Sequence, residues 1–412
     1  MRRLLVSING LLALLLLLAC GPISLATSTS RTRPRAQTTP ALRGEEARRA
    51  TVESTLAMAT PQLTVTPLPT QLLQALVLLD DALANVYDRV SPSVVYISVV
   101  RQGMLGEGFG TGSGWIWDTN GHIVTNNHVV EGADRIRVRF GDQLEADATI
   151  VGTDPDSDLA VIRVDIAAEF LVPAELGDSA QVRVGQTAIA IGNPFGFERT
   201  MTSGIVSAVG RVNLQASGFS LPNLIQTDTA INPGNSGGPL LDIYGRVIGV
   251  TTMIYSLTGE FSGIGFAVPV NTVKRVVPAL IETGHYAHPY LGITGLAVTP
   301  TLADALELPV DHGALVEAVT EGGPAEIAGI RAGTRSVRVE GYSQRVVVGG
   351  DIIIAIDGQP VGDMDDLIAY LEAYSVGDQV TLTVIREGDQ IDVEVTLAER
   401  PVTASQPVFG VP

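Results

Sequence analysis

Residues 232–240 read Asn232-Pro233-Gly234-Asn235-Ser236-Gly237-Gly238-Pro239-Leu240, and the reading of the whole chain turns on this stretch. A serine set among glycines suits a nucleophile: the backbone turns tightly, its own N–H groups face an oxyanion, and Oγ stays exposed. Ordinary loops also carry glycine-rich serine segments. A serine hydroxyl is a poor nucleophile near neutral pH and requires a base, so the rest of the chain must supply one.

The surrounding texture is β. From about residue 76 to 280, short β-branched and often alternating runs are separated by Gly, Asn and Asp; examples are Val94 to Val100, Ile136 to Phe140, Ala188 to Ile191 and Val247 to Thr252. Short strands at such spacing predict an all-β barrel or sandwich. The chain has five histidines, and His285, His288 and His312 fall beyond this region. His122 sits in the turn Asp118-Thr119-Asn120-Gly121-His122. His128 ends Ile123-Val124-Thr125-Asn126-Asn127-His128, within an apolar run where it is either a satisfied core histidine or a base. Asp156-Ser157-Asp158-Leu159-Ala160-Val161-Ile162 places a carboxylate at the mouth of an apolar strand, as a strand-end cap or as a partner for that base. The order His128, Asp158, Ser236 is that of the chymotrypsin-type triad and differs from the subtilisin and α/β-hydrolase orders. A Ser-Lys dyad is disfavoured, because the single lysine, Lys274, falls in an amphipathic helix predicted over Val270 to Ile281.

With these residues in place, the chain resembles the HtrA/Deg family of trypsin-like serine proteases across about 80 to 400. The resemblance rests on Gly110-Thr111-Gly112-Ser113-Gly114-Trp115-Ile116, Thr125-Asn126-Asn127-His128-Val129, Asp156-Ser157-Asp158-Leu159-Ala160-Val161 and Ala190-Ile191-Gly192-Asn193-Pro194-Phe195-Gly196. Ile225-Gln226-Thr227-Asp228 then leads into the serine stretch, and Gly263-Ile264-Gly265-Phe266-Ala267-Val268-Pro269 follows it. The resemblance implies a mainly β fold, two six-stranded barrels with the triad between them, and peptide hydrolysis without ATP, metal or organic cofactor. His128 would be the general base, Asp158 its orienting partner, and the backbone N–H groups of Gly234 and Ser236 the oxyanion hole. Ala230 stands where trypsin-type enzymes place an acidic S1 residue, so preference for Arg or Lys at P1 is not expected. Ile231, Ile254 and Ile264 would line a shallow apolar S1 pocket, or some of them are simply core. Two features depart from the family pattern: Thr229 replaces the usual alanine, and the loop from Val100 to Gly108 is short where some relatives carry a long regulatory insertion.

After Gly284, a second unit runs through Tyr290-Leu291-Gly292-Ile293, Gly322-Gly323-Pro324-Ala325, Gly349-Gly350-Asp351-Ile352-Ile353 and Ile356-Asp357-Gly358. A helix near Met364 to Tyr374 and alternating strands Val380 to Arg386 and Ile391 to Leu397 complete it. This resembles one PDZ domain, which would add a C-terminal peptide as an extra strand, with the Tyr290, Leu291, Gly292 and Ile293 loop holding the terminal carboxylate. Val337 to Val347 reads as an inserted hairpin. The family also implies a homotrimer built through Leu79 to Val90, with Tyr87 as an interface aromatic.

The N-terminus is a different kind of sequence. Met1-Arg2-Arg3 precedes an apolar run from Leu4 to Ala19, too short for a spanning helix of roughly 20 residues, which reads as a secretory signal. It ends in Leu17-Leu18-Ala19-Cys20-Gly21, similar to the lipobox of bacterial lipoproteins, so that Cys20, the single cysteine, becomes either a lipidation site or part of an uncleaved signal anchor. Both readings place the body outside the cytoplasm at a membrane. Residues 21–75, rich in Thr, Ser, Pro, Ala and Arg, read as a disordered linker. The expected order is therefore signal peptide 1–20, linker 21–75, protease domain 76–284, PDZ domain 285–400 and tail 401–412.

The net charge of −18 excludes a nucleic-acid ligand, since such a chain repels phosphate backbones. Residues 1–60 hold eight Arg and three Glu, leaving 18 Lys and Arg against 41 Asp and Glu, or −23, on the remainder. The expected function is an extracytoplasmic serine endopeptidase acting on misfolded or unfolded proteins under PDZ regulation. The alternatives are a dedicated protease for one membrane or envelope substrate and a chaperone or peptide-binding scaffold.

Overall fold

A computed structural model describes residues 70–401 except 104–105, 142–143, 194–198, 215–219, 233, 255–261 and 343–344. The expectations for Cys20, for residues 1–69 and for residues 402–412 lie outside the described residues.

The first element, α1 (Thr70–Val90), begins six residues inside the segment expected as linker. Its C-terminal half carries Leu83, Val86, Tyr87 and Val90 on one face, and these pack into a cluster with Val94, Trp115 and Ile189. That burial makes the last turns part of the protease body. The preceding turns leave Leu76, Val77, Leu78 and Leu79 exposed. The hydroxyl of Tyr87, expected at an interface, donates to Arg199 O within the same chain at 2.9 Å.

The first barrel is made of β1 (Val94–Gly103), β2 (Gly106–Ile116), β3 (His122–Thr125), β4 (Arg135–Phe140), β5 (Leu144–Asp154) and β6 (Leu159–Val164), with the one-turn helix α2 (Asn127–Val130) after β3. The second is β7 (Thr187–Gly192), β8 (Thr200–Leu214), β9 (Ser220–Thr227), β10 (Pro239–Leu241), β11 (Val247–Ile254) and β12 (Gly265–Pro269). Each closes on itself, in the orders β1-β2-β3-β6-β5-β4 and β7-β8-β9-β12-β11-β10. The two halves thus repeat one topology, and closure removes the exposed edges an open sheet would present. Alternation decides the facing: Ile136, Val138 and Phe140 of β4 point inward, while Arg135 and Arg137 face solvent. The 15-residue β8 pairs with β7 through Thr200 to Ile205 and with β9 through Val206 to Leu214.

Helix α3 (Val270–Thr283) buries Val270, Val273, Val276, Val277 and Leu280 against β5, β6 and β11, and ends at Gly284 in a left-handed cap at φ 77°. Glycine is required where β5 passes beneath it: a Cβ on Gly152 would lie 2.7 Å from Leu280 O and 2.8 Å from Gly284 O. Lys274 donates to Gly177 O at 2.6 Å, which occupies the single lysine structurally.

The second unit contains β13 (Pro289–Tyr290), β14 (Ile293–Ala297), α4 (Pro300–Leu306), β15 (Ala314–Val319), α5 (Pro324–Ile327), β16 (Arg335–Val337), β17 (Val346–Val348), β18 (Ile352–Ile356), β19 (Gln359–Pro360), α6 (Met364–Leu371), β20 (Gln379–Arg386), β21 (Asp389–Thr396) and β22 (Ala398–Glu399). Its main sheet runs β14-β15-β18-β20-β21, with β19 on β18. One core packs Leu367 of α6 with Val316, Ile353 and Leu382; another packs Leu302 of α4 with Leu315 and Ile352. The expected insertion is a short hairpin that begins at Arg335, earlier than the sequence suggests, and its Val339, Val346 and Val348 belong to the second core. Its role is to cover apolar surface. Helix α6 lies against β14 on one side and touches β9 of the second barrel on the other.

Candidate active site

His128 lies on α2, a helix of one turn and not the strand end that its apolar setting suggests. The buried residues Asn127, Val129 and Val130 pin this turn to the barrel and turn the imidazole outward, with 47% of its side chain exposed. Arg101 of β1 binds the far end of the turn, donating from Nε to Glu131 O at 2.7 Å and from one terminal nitrogen to His128 O at 3.1 Å and Val129 O at 2.9 Å. A cation at a helix C-terminus satisfies carbonyls that have no partner within the helix.

Asp158 stands immediately before β6 and is buried. Its backbone is left-handed, at φ 53°, a conformation that costs an L-residue about 1–2 kcal/mol. The surroundings hold it there. Asn127 N and Asn126 Nδ2 both donate to Asp158 O, at 3.1 and 2.9 Å. The carboxylate receives His128 N at 3.0 Å, and His128 Nδ1 lies 3.0 and 2.9 Å from its two oxygens. Thr252 Oγ1, on β11, donates to Asp158 Oδ2. The imidazole is thus held through Nδ1, and Nε2 makes no hydrogen bond among the described residues.

Ser236 comes from the second barrel. Its loop is fastened by Asn235 N to Asn232 O at 2.9 Å, Gly237 N to Thr251 O at 2.8 Å and Thr251 Oγ1 to Asn235 O at 2.6 Å. Gly234 and Gly237 have φ of 105° and 84°, which explains glycine at both positions. The amides of Gly234 and Ser236 donate to no protein acceptor among the described residues. Ser236 Oγ donates to Thr252 O at 3.1 Å, and no hydrogen bond joins it to His128 among the described residues. Thr252 therefore touches both halves of the constellation: its hydroxyl holds the aspartate and its carbonyl holds the serine.

Ser113 ties the two barrels together at the same point. Its N donates to Ser236 O at 2.8 Å, its Oγ donates to Gly234 O at 2.6 Å and accepts from Asn193 N at 2.9 Å, and its O accepts from Thr125 Oγ1 at 2.7 Å. Sequence reading missed Thr252, Ser113 and Arg101 as site residues. Only the glycine-flanked setting of Ser113 hinted at a close backbone approach.

A trypsin-like peptidase domain matches residues 112–250, and a PDZ domain matches residues 289–397. "Protease Do-like 1, chloroplastic" of Arabidopsis thaliana is 43% identical over 331 residues, covering 78% of this chain and 73% of that protein. The solved structure "HtrA-type protease AlgW with tripeptide" is 36% identical with a TM-score of 0.65, covering 78% of this chain and 98% of that one. The chain belongs to the HtrA/Deg family of serine endoproteases. It also matches a "Probable periplasmic serine endoprotease DegP-like" of Hahella chejuensis at 40% identity over 296 residues; there the match spans 71% of this chain but only 57% of the relative.

The other expected positions of this HtrA protein fall as follows. Ile231 is buried and packs on Gly265 of β12, where a Cβ would lie 2.7 Å from Ile231 Cδ1. Ile264 precedes Gly265 and is half-buried, and Ala230 is half-buried. The backbone of Ile254 pairs with Gly265, while its side chain lies outside the described residues. Thr229, the departure from the usual alanine, is fully buried, accepts from Thr227 Oγ1 at 2.7 Å and donates to Ala188 O at 3.1 Å. Its hydroxyl is therefore satisfied, not stranded. In the PDZ domain, Gly292 has φ 79°, Leu291 is buried, and Tyr290 Oη meets Thr320 Oγ1 at 2.8 Å. Leu291 O accepts from Ala325 N and Gly292 O from Thr320 N, each at 2.8 Å, which fixes the loop ahead of β14.

Proposed function

We propose that this protein is an ATP-independent serine endopeptidase of the cell envelope that cleaves unfolded or misfolded polypeptides after small or medium apolar residues. The observation that carries the reading is the linkage of the three residues through Thr252: Asp158 holds His128 Nδ1, and Thr252 bonds Asp158 through its hydroxyl and Ser236 through its carbonyl. For hydrolysis, the Ser236 hydroxyl turns from Thr252 O to His128 Nε2, which takes its proton as Oγ attacks the peptide carbonyl. The imidazolium, stabilised by Asp158, then returns the proton to the leaving amine as the C–N bond breaks, and water, deprotonated by His128, cleaves the acyl-Ser236 ester to release the acid and restore the hydroxyl. The Gly234 and Ser236 amides receive the developing oxyanion; losing one such donor typically raises the reaction barrier by about 2.7–4 kcal/mol. Ile231, Ile264 and Ile254 form the apolar P1 site, and the neutral Ala230 removes any counter-charge for Arg or Lys. No step calls on a cofactor.

The PDZ loop at Tyr290 to Ile293 and the β14–α6 groove receive a C-terminal peptide, which regulates cleavage. The names of the bacterial relatives, which call them periplasmic, support action outside the cytoplasm. Cys20 supplies the lipid anchor, residues 21–69 the tether, and α1, whose Leu76 to Leu79 are exposed just ahead of the expected Leu79 to Val90 segment, the association element for a homotrimer. The deciding experiment is digestion of casein by the full chain beside Ser236→Ala, with cleavage sites mapped by mass spectrometry. Cuts after Val, Ile or Ala by wild type only are expected; absence of cleavage under every peptide activator, or cuts chiefly after Arg, would overturn the reading. Loss of palmitate labelling in Cys20→Ser and a trimer mass in sedimentation test the anchor and the assembly.

A further inference from the structure

Only four residues before Asp158, a second His–Asp pair is buried between the two domains. His288, just ahead of β13, is 5% exposed, and its Nε2 lies 2.9 Å from each oxygen of Asp154, at the end of β5. Its Nδ1 is buried without a hydrogen bond and faces Glu372 Oε1, at the C-cap of α6, at 3.7 Å. Glu372 in turn meets Arg275 of α3 at 3.3 Å, and Tyr286 packs edge-on to the His288 ring at 4.8 Å. Burial by itself would lower the His288 pKa, but Asp154 and Glu372 on either side outweigh it and hold it at about 9. A ring between two carboxylates is most stable carrying both protons and the positive charge.

Asp154 begins the loop that presents Asp158. It accepts Asp156 N at 3.3 Å and the Ser157 hydroxyl, and Asp158 N closes the turn on Pro155 O at 3.3 Å. A second grip comes from Arg400, which follows β22: its N donates to His288 O at 2.9 Å, and its guanidinium meets Asp156 at 3.2 Å. Asp158 is held in a left-handed conformation, so the pose of its carboxylate depends on the loop that leads into it.

We propose that His288 and Arg400 are positioning residues for the catalytic aspartate: the cationic pair clamps Asp154 and Asp156 and, through Glu372, joins the register of the 154–158 loop to the placement of PDZ helix α6. The inference rests on the reading of Asp158 as the triad carboxylate. A shift of α6 that withdraws Glu372 removes one of the two anions that keep His288 charged, and the grip on Asp154 weakens with it. The ring keeps its charge, and the clamp its grip, until pH rises through about 9.

The test uses the full chain as wild type, His288→Gln and His288→Arg, with casein hydrolysis followed from pH 6 to 10. His288→Gln is expected to lower kcat about tenfold or more, with a smaller change in KM, since displacing a group by an ångström is that costly. Wild type should lose kcat along an alkaline limb with a midpoint near 9, and His288→Arg, whose charge is permanent, should lack that limb. Wild-type kcat and an unchanged pH profile in His288→Gln would overturn the proposal, as would a change in thermal stability alone. The same substitutions in a Ser236→Ala background separate the clamp from the triad reading. There the low-field proton NMR signal of His128 Nδ1–H should shift in His288→Gln, and an unmoved signal counts against the clamp whether or not casein is cut.

Discussion

Two histidine–aspartate pairs hang on one short loop, and they have the same core geometry but opposite surroundings. In each, one ring nitrogen lies 2.9 to 3.0 Å from both oxygens of its carboxylate. His128 leaves its other nitrogen without a hydrogen bond among the described residues and is 47% exposed in its side chain, whereas His288 is 6% exposed there and turns its other nitrogen to a second carboxylate. A base must both gain and lose a proton during turnover, so it needs one free nitrogen and a path to substrate. A ring boxed between two anions keeps its proton and behaves as a fixed cation. The pairing of His with Asp therefore does not identify the chemistry; what faces the second nitrogen does.

The sharpest way to break this contrast is at Ser236, the proposed nucleophile. Ser236→Ala should lower kcat by about 10⁶-fold, as loss of a triad nucleophile does, while leaving the melting temperature nearly unchanged. The two aspartates should then separate by readout. Asp158→Asn is expected to cost about 10⁴-fold in kcat with little loss of stability, because the imidazole loses its correct tautomer. Asp154→Asn leaves a buried cation short of one partner and should cost about 3–5 kcal/mol in denaturant unfolding. A matching kcat loss without unfolding cost at Asp154 would erase the distinction between the pairs.

Thr252→Val removes the hydroxyl that holds Asp158 Oδ2 while keeping the carbonyl that holds Ser236. Loss of a hydrogen bond to a charged group, about 1.5–3 kcal/mol, predicts a roughly 10- to 100-fold drop in kcat/KM, measured beside Thr252→Ser as the rescuing variant. The stability difference between wild type and His288→Gln should shrink as pH rises. The folded-state pKa of His288 is raised, so its contribution is fully present below about 6.5 and lost through about 9, which melting curves at pH 6 and 10 would show. The smallest effect is expected at Arg101→Leu. It uncaps the carbonyls of α2 at a cost of about 1 kcal/mol, so melting should fall by a few degrees, with the loss of activity confined to kcat.

Much of this arrangement is legible in the sequence, and the omissions share a cause. Alternation in β4 and the apolar run Leu159 to Ile162 that opens β6 announce buried strands, and Gly234 and Gly237 mark the turn that presents Ser236. Thr252 looks like any β-branched strand residue, because nothing near it in sequence shows that β11 brings its hydroxyl to Asp158. Arg101 reads as a surface charge until β1 and α2 are side by side. His288, Asp154 and Glu372 lie 134 and 84 residues apart in the chain, so no local pattern links them. The start of α1 at Thr70, inside a stretch whose composition suggests linker, has the same origin: its helix is anchored by tertiary burial of Leu83, Val86 and Val90.

By itself the sequence determined the β class through its two-residue periodicity, the domain order, and the three residue types whose order suits acyl transfer, since these depend on local pattern and chemical identity. Only the tertiary structure decided which histidine stays half-exposed with one nitrogen unbonded and which is locked between carboxylates. That outcome depends on burial and on partners brought from distant strands, and neither is encoded in any one stretch of chain.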